Sequence, residues 1–394
     1  MPPCEKLAFA DLHREPFRLF FPAATLAGLC GVSLWIPLLL GWTNDYPGTP
    51  HARVMVQGFL AGFIFGFLGT SLPRLLEVPA LTAREVFPLL AVFAGNVGAQ
   101  LAGATALGDG LFAAELAAWF LVLKGRCHAK RDLPPPSFVL VGLSFGCGLA
   151  GTMLFLAGRR GELSAELELL AKLLGYHAFV LLCVLGAGGF LLPRFLGLGV
   201  RRKFPASTTP TPDWLQTARV AGGAGLLIVL TYGLEAFGWP RSAVTLRAAL
   251  IVGYLWHELP LEQLRWTWNG VQWLLVSGLV CLPLGVLASG WLPGWRVALA
   301  HIELLSGFGL ITHGVATRVV FGHSGERTQL ERFHSPLTIA AVLLLLALLN
   351  RLTGDLVPST MASHYLYAAL CWLGGTLLWA TRVLPKVLKP DPEE

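Results

Sequence analysis

Charged residues are scarce in this chain: of 394 residues 13% are charged and 55% are hydrophobic, and the mean hydropathy is +0.64. Because soluble domains are about one quarter charged, these values exclude a soluble globular protein. The seven cysteines include no C-x-x-C pair, so neither a disulfide framework nor a zinc ribbon is expected. The sequence also lacks a Walker A motif, a dinucleotide fingerprint after a strand and a nucleophile elbow.

Apolar runs long enough to span the roughly 30 Å hydrocarbon core of a bilayer recur along the whole chain. They predict an all-α polytopic membrane protein with about twelve transmembrane helices and no separate soluble domain. The predicted crossings are 18–41, 52–73, 85–107, 109–124, 136–157, 169–193, 215–237, 241–257, 270–289, 297–317, 335–350 and 361–381. The fourth and eighth are the weakest, because they are short or carry Glu115 and Arg247.

Three of these runs share one pattern, which is a histidine near the start, glycines in the middle and an arginine at the end. They cover residues 51–74, 177–194 and 301–318, and their histidines are 126 and 124 residues apart. Self-similarity at a fixed period indicates one structural unit used repeatedly. We therefore predict a single membrane domain of three four-helix repeats, at approximately 16–132, 133–264 and 265–389.

Lysine and arginine favour one side of this predicted topology. Nineteen of them fall in the termini and the even-numbered loops, against six in the odd-numbered loops. Since cytoplasmic loops carry the excess of basic residues, both termini are predicted to be cytoplasmic. The net charge of +6 then reflects topology, and the expected partner is the lipid bilayer and not nucleic acid.

The histidines that open the three patterned runs, His51, His177 and His301, are predicted to lie toward the outer side of the membrane. A single histidine near a helix end is usually an interfacial or hydrogen-bonded residue. Three at corresponding places favour a shared site, because ionisable residues inside a membrane are costly and usually functional. Neutral imidazole suits iron and copper, and two histidines from facing helices can hold a haem iron from both sides. Weaker candidate metal ligands are Glu303, His313 and His323.

The sequence TRVVFGHSGER at residues 317–327 is the most distinctive local motif. Its glycines can break a helix, while its polar side chains could bind an anion or anchor loops to the helix bundle. The residues concerned are Arg318, Gly322, His323, Ser324, Gly325 and Arg327. A structural cap at the end of the tenth helix is the alternative interpretation.

The chain resembles the NnrS family of membrane proteins over nearly its whole length. The matching residues form an early histidine motif, a central G-W-P and L-x-x-L-R-W region and a late R-x-x-x-G-H motif. They are His51, Met55, Gly58, Phe59, Gly238, Trp239, Pro240, Leu261, Leu264, Arg265, Trp266, His301, Thr317, Arg318, Gly322, His323, Ser324 and Gly325. The resemblance implies a haem-containing, b-type, or copper-containing protein of the bacterial inner membrane, linked to nitric oxide and nitrosative stress.

The chain departs from the family pattern at three positions. Arg53 replaces the second histidine of the early motif, Val54 replaces its glutamate, and Val276 stands where the family often has a histidine. A metal site built on those side chains would be lost here, so only His51, His177, His301 and His323 are carried over as ligands.

A fainter resemblance to the large subunit of haem-copper oxidases involves His51, Met55, Gly66, Phe67 and Pro73 and the threefold set of twelve helices. By that analogy, His51 and His301 would ligate a low-spin haem and His177 would correspond to a copper ligand. The predicted seventh helix has no histidine, so the three-histidine copper site of those enzymes cannot be assembled. Reduction of oxygen or nitric oxide is therefore not expected, and no redox partner is identified.

The sequence leaves two functions open, and they belong to different classes of protein. One is a haem- or copper-binding membrane protein that senses, binds or detoxifies a small gaseous ligand such as nitric oxide. The other is a cofactor-free transporter or permease built from repeats, with a path lined by charged side chains. Those side chains are Glu303, Arg219, Glu235 and Arg247.

Overall fold

The computed structural model describes residues 9–159, 161, 163–266, 269–326 and 335–391, and every regular element in these ranges is helical. Twelve long helical segments, named α1 to α12 in chain order, form the molecule. They are Phe17–Leu39, Gly48–Leu75, Ala83–Leu101, Thr105–His128, Pro136–Gly158, Ala165–Phe195, Pro212–Ala236, Pro240–Glu258, Gly270–Trp291, Pro293–Gly322, Ser335–Leu356 and Met361–Val383.

Nine of these helices are long and apolar enough to cross a membrane, namely all but α3, α8 and α12. This confirms the prediction of an all-α polytopic membrane protein. Each predicted crossing overlaps one of the twelve helices.

Several helices begin at residues whose side chains cap the exposed amide groups of the first turn. Ser164 accepts a hydrogen bond from the amide of Leu167, and Thr211 accepts one from the amide of Trp214. Asn269 does the same for the amide of Gln272, with its Oδ1 2.7 Å from that nitrogen. These caps fix where α6, α7 and α9 start.

The contacts divide the chain into two units. Unit 1 comprises residues 1–67, 97–103 and 266–394, and so contains α1, most of α2 and α9 to α12. Unit 2 comprises residues 68–96 and 104–265, and so contains most of α3 and α4 to α8.

Within the described residues, three helices contain a π-helical segment, in which each backbone hydrogen bond spans five residues instead of four. These segments are Val54–Leu60 in α2, Leu173–Ala178 in α6 and Ile302–Phe308 in α10. Such interruptions are frequent at functional sites. They fall in the second, sixth and tenth helices, which are the ones that carry the three patterned histidines.

Each π-helical segment faces a glycine of the preceding helix in the same unit. A Cβ atom on Gly151 would lie 2.4 Å from the amide nitrogen of Gly175, and one on Gly285 would lie 2.4 Å from the amide nitrogen of Glu303. On Gly31 it would lie 2.9 Å from Cγ1 of Val54. The absence of a side chain at these glycines allows the paired helices to approach closely.

One of the two closest approaches, at Gly151, gives a stability prediction. Gly151→Ala in α5 should lower the free energy of unfolding by about 1–3 kcal/mol, because the new methyl group would overlap the backbone of α6. Gly146→Ala in the same helix is the matched control, since a Cβ atom there meets nothing within 4 Å. That change should be neutral or stabilising by about 0.5–1 kcal/mol. Denaturant unfolding of the purified protein measures both, and equal effects would contradict the close-approach interpretation.

Candidate functional site

His51 and His301 lie at one end of unit 1, at the starts of α2 and α10, and both side chains are half-buried. Nδ1 of His51 is 2.9 Å from the carbonyl oxygen of Gly31, and Nδ1 of His301 is 2.7 Å from the carbonyl oxygen of Val297. Because a carbonyl can only accept, each Nδ1 carries the proton and donates it. Each ring therefore presents the lone pair of Nε2, which is the form of imidazole that binds a metal.

The two imidazoles lie in the same region of unit 1. They are close enough to interact electrostatically with each other, and both also interact with the charge of Arg351. The ring of Trp35 lies 5.8 Å from that of His51, between centroids, and so lines the same end of unit 1. Five helices contribute to this region, which is named the outer-end site after its predicted position: α1, α2, α10, α11 and α12.

A second set of polar residues supports the outer-end site from α11 and α12. Arg351 and Tyr365 both pair with the carboxylate of Asp355. The guanidinium carbon of Arg351 lies 4.3 Å from the centroid of the Tyr365 ring. Sequence reasoning missed all three residues, although the four-residue spacing of Arg351 and Asp355 is typical of an ion pair on one helix face.

His177 belongs to unit 2, where it is half-buried inside the π-helical segment of α6. Its register differs from that of the other two histidines. The residue that lies closest to the glycine of the preceding helix serves as a reference position, and it is Gly175 in α6 and Glu303 in α10. His177 comes two residues after its reference position, whereas His301 comes two residues before its own. His177 and His301 thus sit about one helical turn apart along their own helices.

His313 is fully buried in the core of unit 1. Its Nδ1 donates to the carbonyl oxygen of Gly309 at 2.7 Å, and its ring lies 4.9 Å from that of Trp379 and 5.7 Å from that of Phe59. Nε2 is 3.5 Å from Oγ1 of Thr376. Surrounded in this way, His313 packs as a core residue. Glu303, the other weaker candidate in this helix, is buried within the π-helical segment.

His323 lies just beyond α10 and joins two carboxylates that come from opposite ends of the chain. Its Nδ1 is 2.5 Å from Oε1 of Glu15 and 3.3 Å from Oδ2 of Asp391. The ligand atoms of these three residues lie within 4.8 Å of one another, a spacing that could hold a metal ion. The guanidinium of Arg18, however, already pairs with Glu15 and donates to the carbonyl oxygens of Val387 and Lys389, at 2.6 Å each.

This cluster of Glu15, Arg18, His323 and Asp391, the terminal clamp, connects the start of α1, the end of α10 and the C-terminal segment. A cation next to the Arg18 guanidinium would meet like-charge repulsion. The terminal clamp is therefore better explained as a structural anchor than as a metal site.

The remaining residues of the 317–327 motif surround the terminal clamp. Gly322 ends α10, Ser324 is buried, and Gly325 has a φ of +71°, a backbone conformation that favours glycine. Arg318 lies within α10, while Arg327 lies outside the described residues.

Glu326, which follows Gly325, pairs with Lys386 and Lys389 of the C-terminal segment. Partial burial acts to raise the pKa of the Glu326 carboxyl, but the two lysines outweigh burial and leave this pKa below its usual value. These contacts attach the loop after α10 to the C-terminal segment.

The fold and the outer-end site together define a polytopic helical membrane protein with two histidines in the metal-binding tautomer at one end of a helical unit. The family model described as NnrS protein matches residues 11–390. The chain belongs to the NnrS family. The curated proteins include no match to it.

Proposed function

We propose that this protein is a haem- or copper-binding protein of the bacterial inner membrane that takes part in the response to nitric oxide and nitrosative stress, with His51 and His301 as ligands. One observation carries the proposal: the Nδ1 atoms of both histidines donate to backbone carbonyls, so that the Nε2 atom of each ring remains for a metal. The family association with haem and copper supports the choice of cofactor.

The donor set fits either cofactor. Neutral imidazole is a common ligand of copper and of iron, and histidines that bind metals usually donate their other ring N–H to a carbonyl or carboxylate. His51 and His301 would hold a b-type haem through their Nε2 atoms. Bound iron or copper would supply affinity for a small gaseous ligand such as nitric oxide. His177 remains a predicted third ligand.

The residues around the histidines would orient the ligands. The carbonyls of Gly31 and Val297 hold the two rings in one tautomer. Asp355 pairs with Arg351 and with Tyr365, which fixes the end of α11 to the start of α12 next to the histidines. An ordered second shell of this kind raises metal affinity about 10–100-fold in known sites.

The proposal includes a topology of twelve crossings in three four-helix repeats, with both termini in the cytoplasm. The helices α3, α8 and α12, which are less apolar than the other nine, would be the remaining three membrane crossings. The π-helical segments in α2, α6 and α10, each facing a glycine of the preceding helix, support a repeated unit.

The test is the cofactor content of full-length protein purified in detergent from cells supplied with copper and a haem precursor. We expect a Soret band, or copper by metal analysis, that falls at least tenfold in His51→Ala and in His301→Ala. His364→Ala is the matched control, because His364 lies near the start of α12 in unit 1 with its Nδ1 2.8 Å from Oδ1 of Asn350. Its cofactor content should equal that of the wild type.

Colourless and metal-free wild-type protein would contradict the proposal. It would favour the cofactor-free transporter or permease, for which uptake of small solutes by proteoliposomes is the direct assay.

A further inference from the structure

A pocket of about 360 Å³ lies entirely within unit 2, where α5 and α7 begin and α6 and α8 end, and residues 199–211 cover it. Its charged lining is mainly positive. The four cationic side chains are Arg194, Arg201, Arg202 and Lys203, and the two acidic ones are Asp132 and Glu258.

The two acidic side chains do not cancel this charge. Oδ1 of Asp132 accepts hydrogen bonds from the amides of Leu133 at 2.7 Å and Ser207 at 2.9 Å, which ties down the covering segment. Glu258 interacts electrostatically with Arg201 and Arg202 but forms no ion pair with either within the described residues.

Arg201 does have an ion-pair partner, Glu262, at 2.8 Å. Lys203 has no hydrogen bond or ion pair within the part of the chain that the structure describes.

Arg202 is oriented by two hydrogen bonds. Its guanidinium donates to Oγ1 of Thr217 at 3.1 Å and to Nε2 of His257 at 3.0 Å. The side chain is thereby oriented without losing its positive charge. A planar guanidinium that still has free N–H groups is suited to bidentate contact with phosphate oxygens.

The rest of the lining suits a phosphate group attached to an apolar part. Phe190 and Phe204 supply apolar surface, and the indole N–H of Trp214 donates to the carbonyl oxygen of Pro134 at 3.0 Å, which stiffens the wall. Residues at the starts of α5 and α7, Pro136 and Trp214, also line the pocket.

From this lining we infer that the pocket binds a phosphate group, contacted by Arg202 and Lys203, either on an anionic phospholipid or on a soluble phosphorylated molecule. The pocket lies in a different unit from His51 and His301. Its function is independent of the metal proposal, and the test below does not measure cofactor content.

Binding to the full-length protein in a non-ionic detergent tests the inference by isothermal titration calorimetry. The probes are short-chain phosphatidylglycerol, inorganic phosphate and, as a zwitterionic comparison, short-chain phosphatidylcholine. Arg202 is also exposed, but Thr217 and His257 already orient its guanidinium, so Arg202→Gln should weaken binding of the phosphate probe about threefold to tenfold. Lys203→Gln should weaken it about threefold, because this cation is exposed.

Lys124→Gln is the matched control, because Lys124 is an exposed cation of unit 2 near the end of α4 that does not line the pocket. Its affinity should equal that of the wild type. Binding of phosphatidylglycerol alone identifies a lipid headgroup site, and binding of inorganic phosphate as well identifies a site for soluble phosphates. Absence of binding by both, or equal affinities in wild type, Arg202→Gln and Lys203→Gln, overturns the inference.

Discussion

Arg18→Met is expected to lower the free energy of unfolding by about 3–5 kcal/mol, the usual cost of removing one partner from a buried ion pair. The Arg18 side chain is buried in the terminal clamp. The substitution would leave the buried carboxylate of Glu15 without its guanidinium, and the carbonyls of Val387 and Lys389 without their donor. Denaturant unfolding of the detergent-solubilised protein, followed by tryptophan fluorescence, measures the change.

Three further variants make this prediction specific. Arg14→Met is the control, because Arg14 is exposed and lies 3.5 Å from Asp11, and such surface pairs contribute at most about 1 kcal/mol. Arg18→Lys should recover little stability, since one ammonium cannot reproduce the contacts of the planar guanidinium. Glu15→Gln together with Arg18→Met should be less destabilised than Arg18→Met alone. If Arg18→Met unfolds like Arg14→Met, the terminal clamp does not stabilise the protein.

Arg247→Met should be destabilising to a similar extent, about 3–5 kcal/mol, for the same physical reason in unit 2. Arg247 of α8 lies 2.7 Å from the carboxylate of Glu235 in α7, and both are buried. Its Nε donates to Oγ1 of Thr231 at 2.9 Å, and its guanidinium stacks on the ring of Tyr232 at 3.6 Å. Methionine fills similar volume but leaves the buried Glu235 carboxylate without the Arg247 guanidinium.

A double-mutant cycle isolates this pair. Arg247→Met with Glu235→Gln should regain most of the stability that Arg247→Met loses, because no uncompensated charge remains. Arg241→Met, at an exposed position near the start of the same helix, should be nearly neutral. Thermal unfolding in detergent gives all four values, and additive effects of Glu235→Gln and Arg247→Met would show that the two residues are not coupled.

Arg247 also illustrates how far the sequence predicts the fold. Apolar runs located the twelve long helices, nine of which are long and apolar enough to cross a membrane. Arg247 made the eighth run look weak, since sequence reasoning treats an isolated charge inside a membrane as a penalty. Its partner Glu235 lies on the adjacent helix of a hairpin, and the pairing depends on the geometry of the turn between α7 and α8, which hydropathy does not describe.

The candidate site was predictable only in part. The repeated pattern selected His51 and His301, which the structure brings together, but it gave no information on their tautomers. Those depend on carbonyl oxygens of Gly31, twenty residues earlier, and of Val297, one turn earlier. The supporting residues Arg351, Asp355 and Tyr365 come from α11 and α12, and their position next to α2 and α10 is a matter of tertiary packing.

The terminal clamp was beyond local sequence reasoning for a different reason. His323 was a candidate from its motif, yet its partner Glu15 is 308 residues away. Neither Glu15 nor Asp391 belongs to a recognisable pattern. Only the folded chain brings these two carboxylates to the end of α10.

The π-helical segments have a consequence for how length changes act on this protein. Each holds one surplus residue, and a residue in a helix corresponds to a rotation of about 100°. Deleting a single amino acid within Leu173–Ala178 would therefore convert this segment to regular α-helix and leave side chains such as Phe179 on the face they now occupy, whereas a deletion elsewhere in α6 would rotate the residues beyond it by about 100°. When the three helices are aligned with one another or with relatives, a one-residue gap belongs at these segments, and misplacing it would pair inward-facing residues with outward-facing ones.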